Sequence, residues 1–298
     1  MRAFVTGGGG FVGRHLVARL RTLGHAVYEY SGRADSLSDP LRLCERLQAA
    51  VPDVVYHLAA HANVRFSDGD SSLVFESNTR GTFNVLEAMR RTPCRRIIFA
   101  SSCSVYGEPT TFPSGEYNSA MPVQTSLYGA SKLAGEALCQ AYDSTYGFQS
   151  IIMRLVSQLG PGQTRGHIPD LFFKLKADPT QLSVMGNGQQ LRSYMHIADC
   201  VEALVKVGVE AHLGIYNVAN DAPWTVVQSV ETLCDMLALT PRLTYGEEAR
   251  GWVGDSPHIE PDITRLLATG WAPKRTTRHA VSDTVFDLQK RYLEGERR

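Results

Sequence analysis

The sequence has no excess of charge of either sign: its 298 residues carry 30 Lys and Arg against 30 Asp and Glu, a formal net charge of zero. That balance argues against a protein held to nucleic acid by neutralising phosphates. No window approaches the roughly 18 consecutive apolar residues that a membrane-spanning helix needs. The N-terminus enters a strand-like Ala3-Phe4-Val5 without the pattern of a signal peptide. These absences lead to the expectation of a cytoplasmic protein with neither a nucleic-acid nor a membrane partner. Cysteine is sparse and scattered: Cys44, Cys94, Cys103, Cys139, Cys200 and Cys234 form no Cys-x-x-Cys pair and face no His-rich segment. No metal site and no disulfide framework is therefore expected. Internal repeats and low-complexity segments are missing too, which leaves ordinary globular material: one large domain, or one plus a lobe.

Short β-branched or aromatic runs at 3–5, 26–30, 54–57, 96–100 and 149–154 alternate with amphipathic stretches. This is the pattern of βαβ units feeding a parallel sheet buried on both faces. Val12, Leu16, Leu20 and Leu23 recur at helical spacing and Gly24 follows as a stop, while Asp39-Pro40 reads as the cap and first residue of a second helix. After about Gly160 the pattern is broken by Pro161, Gly162, Gly166, Pro169, Gly186 and Gly188, before apolar runs resume at 200–207 and 215–218. From about Trp224 onward the chain reads as short helices and loops. The expected fold is α/β, a Rossmann-type doubly wound parallel sheet over 1–160 with a return segment at about 197–223. A smaller C-terminal α/β substrate lobe is expected from 161–196 and 224–298.

Thr6-Gly7-Gly8-Gly9-Gly10-Phe11-Val12-Gly13 leaves the first strand and opens the first helix. Glycine permits the tight turn and a close backbone approach, and the helix start offers unpaired N–H groups to a pyrophosphate. The end of the second strand bears on which dinucleotide is held. A carboxylate there would take the ribose 2′-hydroxyl of NAD, whereas a small residue with a nearby arginine suits the 2′-phosphate of NADP. The residues are Ser31-Gly32-Arg33, with Glu29 two places too early. NADP(H) is favoured and NAD(H) is the alternative, with Ser36 or Asp35 as other ribose contacts.

Ser101-Ser102-Cys103-Ser104 comes directly off the run at 96–100, and Tyr128-Gly129-Ala130-Ser131-Lys132 follows. The i,i+4 spacing puts the phenol and the ammonium on one helical face. A nearby ammonium together with a cationic nicotinamide is expected to lower the Tyr128 pKa from about 10, making it a general acid or base.

With these residues in place the chain resembles the extended short-chain dehydrogenase/reductase family of nucleotide-sugar epimerases, dehydratases and reductases. Further landmarks resemble it in order: His57-Leu58-Ala59-Ala60, Asn78-Thr79-Arg80-Gly81-Thr82, Gly160-Pro161-Gly162, Arg192-Ser193-Tyr194 through Asp199, and Trp271-Ala272-Pro273. The resemblance implies that Tyr128 transfers the proton, Lys132 holds the cofactor ribose and tunes Tyr128, and Ser102 bonds the reacting sugar oxygen. It implies cofactor contacts at Gly7, Gly10, Phe11, Val12, Gly13, Ser31, Arg33, Ser36, Leu37, Leu58, Ala59, Ala60 and Asn78. Substrate contacts are implied at His61, Cys103, Ser157, His167 and Arg192, with Arg192 on the diphosphate of a nucleotide sugar. A homodimer is implied as well.

The sequence also departs from the family. Where its dehydratases carry Thr-Asp-Glu, this chain has Ser102-Cys103-Ser104, so the carboxylates that remove water are missing and decarboxylation is weakened with them. Ser157-Gln158-Leu159 stands where many members have an asparagine, and Ser126-Leu127 replaces Ser-Pro. The reading these residues favour is NADPH-dependent reduction of a 4-keto sugar. The alternative is an NAD-dependent nucleotide-sugar 4-epimerase, and a lesser one an unusual dehydratase using the Cys103 thiol.

Overall fold

The alternating apolar runs of the first half become strands that pair in parallel. The computed structural model describes residues 1–32, 36–62, 71–117, 123–220 and 222–295. The chain runs β1 (Arg2–Thr6), α1 (Phe11–Thr22), β2 (Ala26–Tyr30), α2 (Pro40–Ala50), β3 (Val54–His57), α3 (Ser71–Val74), a π-helical turn (Phe75–Arg80), α4 (Gly81–Arg90) and β4 (Arg96–Ser102). A 3-10 turn (Cys103–Tyr106) precedes α5 (Leu127–Tyr146), β5 (Gln149–Leu155), β6 (Ser157–Leu159), α6 (His167–Ala177), β7 (Gln181–Val184), β8 (Leu191–Arg192) and β9 (Tyr194–His196). Then follow α7 (Ile197–Glu210), β10 (Gly214–Val218), β11 (Trp224–Thr225), α8 (Val226–Leu237), β12 (Arg242–Tyr245), α9 (Thr264–Leu267) and α10 (Thr277–Leu293).

Six strands form one parallel sheet in the order β10-β5-β4-β3-β1-β2, so the direction of winding reverses between β3 and β1. The reversal opens a crevice at the carboxyl ends of these two strands, where such sheets hold ligands. Side-chain alternation makes two cores. Val5, Tyr56 and Ile98 pack under α1 and α7 with Leu16, Leu20 and Leu204. On the other face Phe4, Val55 and Phe99 pack under α2, α4 and α5 with Leu47, Leu86 and Cys139. As expected, Asp39 caps α2, its carboxylate accepting the Arg42 N–H at 3.0 Å.

The C-terminal part is more helical than the sequence pattern suggests, since α10 alone spans 17 residues. Its inward face is Thr277, Ala280, Val281, Thr284, Val285 and Leu288, set against α6 and α8 in a third core. Two of these positions are threonine, and Thr284 satisfies its hydroxyl on the Ala280 carbonyl at 2.7 Å. The stripe is therefore buried yet reads as polar.

Candidate active site

At the crevice, β1 ends in the glycine turn. Gly7 adopts φ of +73°, and a Cβ there would meet the Ala59 amide nitrogen at 2.7 Å. A Cβ on Gly13 would lie 2.1 Å from the Gly7 carbonyl oxygen. The turn is thus packed backbone on backbone, against itself and against the segment leaving β3. Gly10 caps α1 without a side-chain acceptor, and the first turn contains no acidic residue. Nothing there competes with an anion for the helix N–H groups, so the cradle fits the pyrophosphate of a dinucleotide. Phe11 and Val12 rest against the core.

At the end of β2, Ser31 approaches the turn: its Oγ would be 3.5 Å from a Cβ on Gly9. Glu29 lies beside Gly8 and pairs with Arg21 at 2.8 Å. Ser36 bonds Ser38, Oγ to Oγ, at 2.7 Å. The Leu37 side chain is buried against Gly81, where α4 begins, and joins the second core. Arg33 and Asp35 lie outside the described residues.

Beyond β3, His57 bonds the Thr6 hydroxyl at 2.7 Å and the Thr82 hydroxyl at 3.0 Å. Thr82 donates to the Asn78 carbonyl, so it accepts from Nε2–H of His57. Burial holds this imidazole neutral, with its pKa lowered to about 3. Leu58 packs on the first core, and the backbone of Ala59 is the surface on which Gly7 rests. Asn78, in the π-helical turn, accepts the His61 N–H at 2.7 Å and donates to the His61 carbonyl and to Ser131 Oγ, at 3.1 and 2.9 Å. Both its amide hydrogens are used inside the protein, so Asn78 clamps the segment after Ala60 to α5. His61 is half-buried, with Nδ1 enclosed and unbonded among the described residues.

β4 and α5 bring the expected triad together. Ser126 caps α5, accepting the Gly129 N–H at 3.1 Å, and Tyr128 and Lys132 follow on one face. The Ser104 hydroxyl donates to Ser102 Oγ at 2.9 Å, and Ser102 is the polar neighbour that favours deprotonation of the Tyr128 phenol. Lys132 Nζ donates to the Ala100 carbonyl at 2.6 Å and lies 5.9 Å from the centre of the Tyr128 ring. Burial raises the phenol to about 12, outweighing the opposing effect of Ser102, and burial also lowers Lys132 to about 8. The protein's own groups therefore favour the protonated phenol, and the positive charge of a nicotinamide would act against that burial.

The substrate candidates divide. Cys103 is 3% exposed and its thiol donates to the Arg154 carbonyl at 3.3 Å, while burial pushes its pKa far up. Its side chain fills the core, which argues against its use as a thiol acid. Ser157 is exposed on β6. His167, at the start of α6, bonds Ser229 Oγ of α8 at 2.8 Å. Arg192 is already paired: Nη2 meets Asp255 at 2.6 Å, and Nη1 donates to the carbonyls of Leu191 and Ser256. Asp255 is not evident as its partner from the sequence because it lies 63 residues away. Glu136 and Arg154 were not anticipated either, although Glu136 continues the Tyr128, Lys132 spacing by one more turn.

Comparison with known proteins agrees with this geometry. Residues 3–219 match the profile described as the NAD dependent epimerase/dehydratase family. The chain is 29% identical to UDP-glucuronic acid decarboxylase 1 of Arabidopsis thaliana, over 98% of this chain and 71% of that one. It is 27% identical to dTDP-glucose 4,6-dehydratase of Shigella flexneri, over 96% and 92%. A crystal structure of UDP-galactose 4-epimerase superposes with a TM-score of 0.84 at 33% identity, covering 98% of this chain and 99% of that chain. The NAD complex of UDP-glucose 4-epimerase from Thermus thermophilus gives 0.85 at 27% identity, covering 97% and 99%.

Proposed function

Since the chain belongs to the NAD-dependent epimerase/dehydratase family, we propose that it transfers a hydride at an alcohol or ketone carbon of a nucleotide-linked sugar, with Tyr128 moving the proton. The observation that carries this is the placement of Ser102 at the carboxyl edge of β4 and of Tyr128 and Lys132 on one face of α5, with Lys132 Nζ 5.9 Å from the Tyr128 ring centre, beside a glycine cradle fitted to a dinucleotide. When bound, the nicotinamide accepts or delivers the hydride. Ser102 would hold the reacting oxygen beside the phenol, and Tyr128 gives that oxygen a proton as a hydroxyl forms, or, as the phenolate that a bound nicotinamide's positive charge would favour, receives one as a ketone forms. Lys132 fixes the cofactor ribose and lends positive charge to the phenol's deprotonated form. Arg192, held in place by Asp255, has the planar fork to meet a diphosphate.

The absence of a carboxylate at Ser102-Cys103-Ser104 favours redox at one carbon over loss of water or carbon dioxide. Within that class, reversible oxidation and reduction at one carbon, as in a 4-epimerase, is favoured by the likeness to UDP-galactose 4-epimerase along the whole chain. NADPH-dependent reduction of a 4-keto sugar is the second reading, favoured by Ser31 at the ribose position. Two measurements separate them. Denatured purified protein releases stoichiometric NAD if an epimerase keeps its cofactor. With NADPH deuterated on the transferred face and a nucleotide-linked 4-keto-6-deoxyhexose, a reductase places one deuterium at C4. An epimerase interconverts nucleotide hexoses without consuming NADPH. A protein doing neither would overturn the proposal.

Cofactor choice is tested at Ser31. Ser31→Asp adds a carboxylate beside Gly9 that accepts from a ribose 2′-hydroxyl and repels a 2′-phosphate. The ratio of NADH to NADPH affinity, read by nicotinamide fluorescence, is expected to rise by about tenfold or more, a difference near 1.4 kcal/mol. An unchanged ratio removes Ser31 from cofactor selection.

A further inference from the structure

Tyr128, Lys132 and Glu136 stand at i, i+4 and i+8, so they share one face of α5. The reaction proposed above uses the first two. Glu136 is 2% exposed and meets Arg154 of β5, itself 7% exposed, in a two-pronged pair: Nε to Oε1 at 2.9 Å and Nη2 to Oε2 at 2.6 Å. Oε1 also accepts the hydroxyl of Ser101, the residue before Ser102 in β4. The remaining prong of the guanidinium, Nη1, donates to the Tyr106 hydroxyl and to the Glu116 carbonyl, both at 3.0 Å. Tyr106 OH in turn donates to Asn217 of β10 at 2.8 Å.

Burying two charges is a poor route to stability, because an apolar pair of the same volume does as well or better. What a bidentate carboxylate and guanidinium supply is geometry. Leucine and methionine on facing elements can slide past one another at little cost, whereas a fork with two short bonds has one register. Here the fork joins the helix that carries Tyr128 to the two strands that end beside it. The same guanidinium holds Tyr106, the last residue of the 3-10 turn whose Ser104 bonds Ser102.

We propose that the buried Glu136–Arg154 pair is a positioning device: it fixes the height of α5 against β4 and β5, and so sets where the Tyr128 phenol stands relative to Ser102. The proposal rests on the reading of Tyr128 as the proton-transfer group. A misplacement on the order of 1 Å at such a site costs about 100-fold in rate.

The test is the paired variant Glu136→Leu with Arg154→Met, which removes both charges at once and keeps the volume. Parent-like melting is expected, with kcat lower by about 10- to 100-fold and KM within about threefold. In the same variant, the amides of residues 127–132 are expected to exchange hydrogen at least about tenfold faster, as the first turn of α5 loses its fixed seat. Parent-like kcat, a change confined to KM, or parent-like exchange in that segment would each overturn the proposal. Should the paired variant fail to fold, Ser101→Ala removes only the strand side of the fork. A fall in kcat of about threefold to tenfold at constant KM is then expected, and no change overturns the proposal. A parent enzyme inactive on both sugar classes would sink the functional reading instead, and the exchange measurement would still decide this one.

Discussion

Replacing Tyr128 by phenylalanine is expected to slow turnover by about two to four orders of magnitude while leaving fold and cofactor binding intact. The ring is retained, so the packing at the start of α5 is kept, and only the hydroxyl is lost. Ser102 is not left without a partner, because Ser104 donates to its oxygen both through the hydroxyl at 2.9 Å and through the backbone N–H at 3.2 Å. The stability cost is therefore no more than that of one hydrogen bond, about 1 kcal/mol. The loss in rate is much larger, since neither neighbouring acid among the described residues can take the place of the phenol. Cys103 is buried on the far side with its thiol on the Arg154 carbonyl, and Lys132 is engaged with Ala100. Turnover under saturating substrate, thermal melting and nicotinamide fluorescence check the three parts of this expectation. Near-normal turnover would remove Tyr128 from the mechanism.

The second large effect lies in the cradle. Gly13→Ala is expected to weaken dinucleotide binding by about 100-fold or more and to destabilise the fold by about 1–3 kcal/mol, the cost of overpacking a filled site. The added methyl would meet the Gly7 carbonyl oxygen at 2.1 Å and the Gly7 carbonyl carbon and Gly8 Cα at 2.9 Å. All three are backbone atoms, so no flexible side chain can yield. The turn itself must move, and with it the N–H groups aimed at the pyrophosphate. Gly24 provides the control: it has φ of +79° but open space where a Cβ would stand. Gly24→Asn, a residue that tolerates left-handed backbone, is expected to bind the dinucleotide like the parent. Fluorescence titration of the two variants distinguishes a steric lock from a general intolerance of substitution at glycine.

What was legible in the sequence was local. A strand followed by closely spaced glycines and a helix can adopt few shapes, so the residue order from Gly7 to Gly13 is enough to identify an anion cradle. Four-residue spacing on a helix places Tyr128 beside Lys132 whatever surrounds them. The five apolar runs of the first half mark strands buried on both faces, and their parallel pairing follows from the helices between them. The strand Gly214–Val218 could be seen only as a resumed apolar run, because its place at the sheet edge beside β5 depends on pairing across more than 60 residues.

Tertiary structure alone decided which way side chains turn and which charges meet. The sequence places Cys103 next to Ser102, but the 3-10 turn after β4 sends that thiol into the core. Leu37 lies near the ribose position in sequence and beneath α4 in space. Arg192 meets Asp255, and Glu136 meets Arg154, only because separate strands and loops are folded against each other. Burial, which no local pattern records, also acts on the electrostatics: it pushes the Tyr128 phenol up although a lysine stands one turn away. Residue types and short spacings specify what chemistry is possible; desolvation and long-range packing specify its direction, because both depend on neighbours far away in the chain.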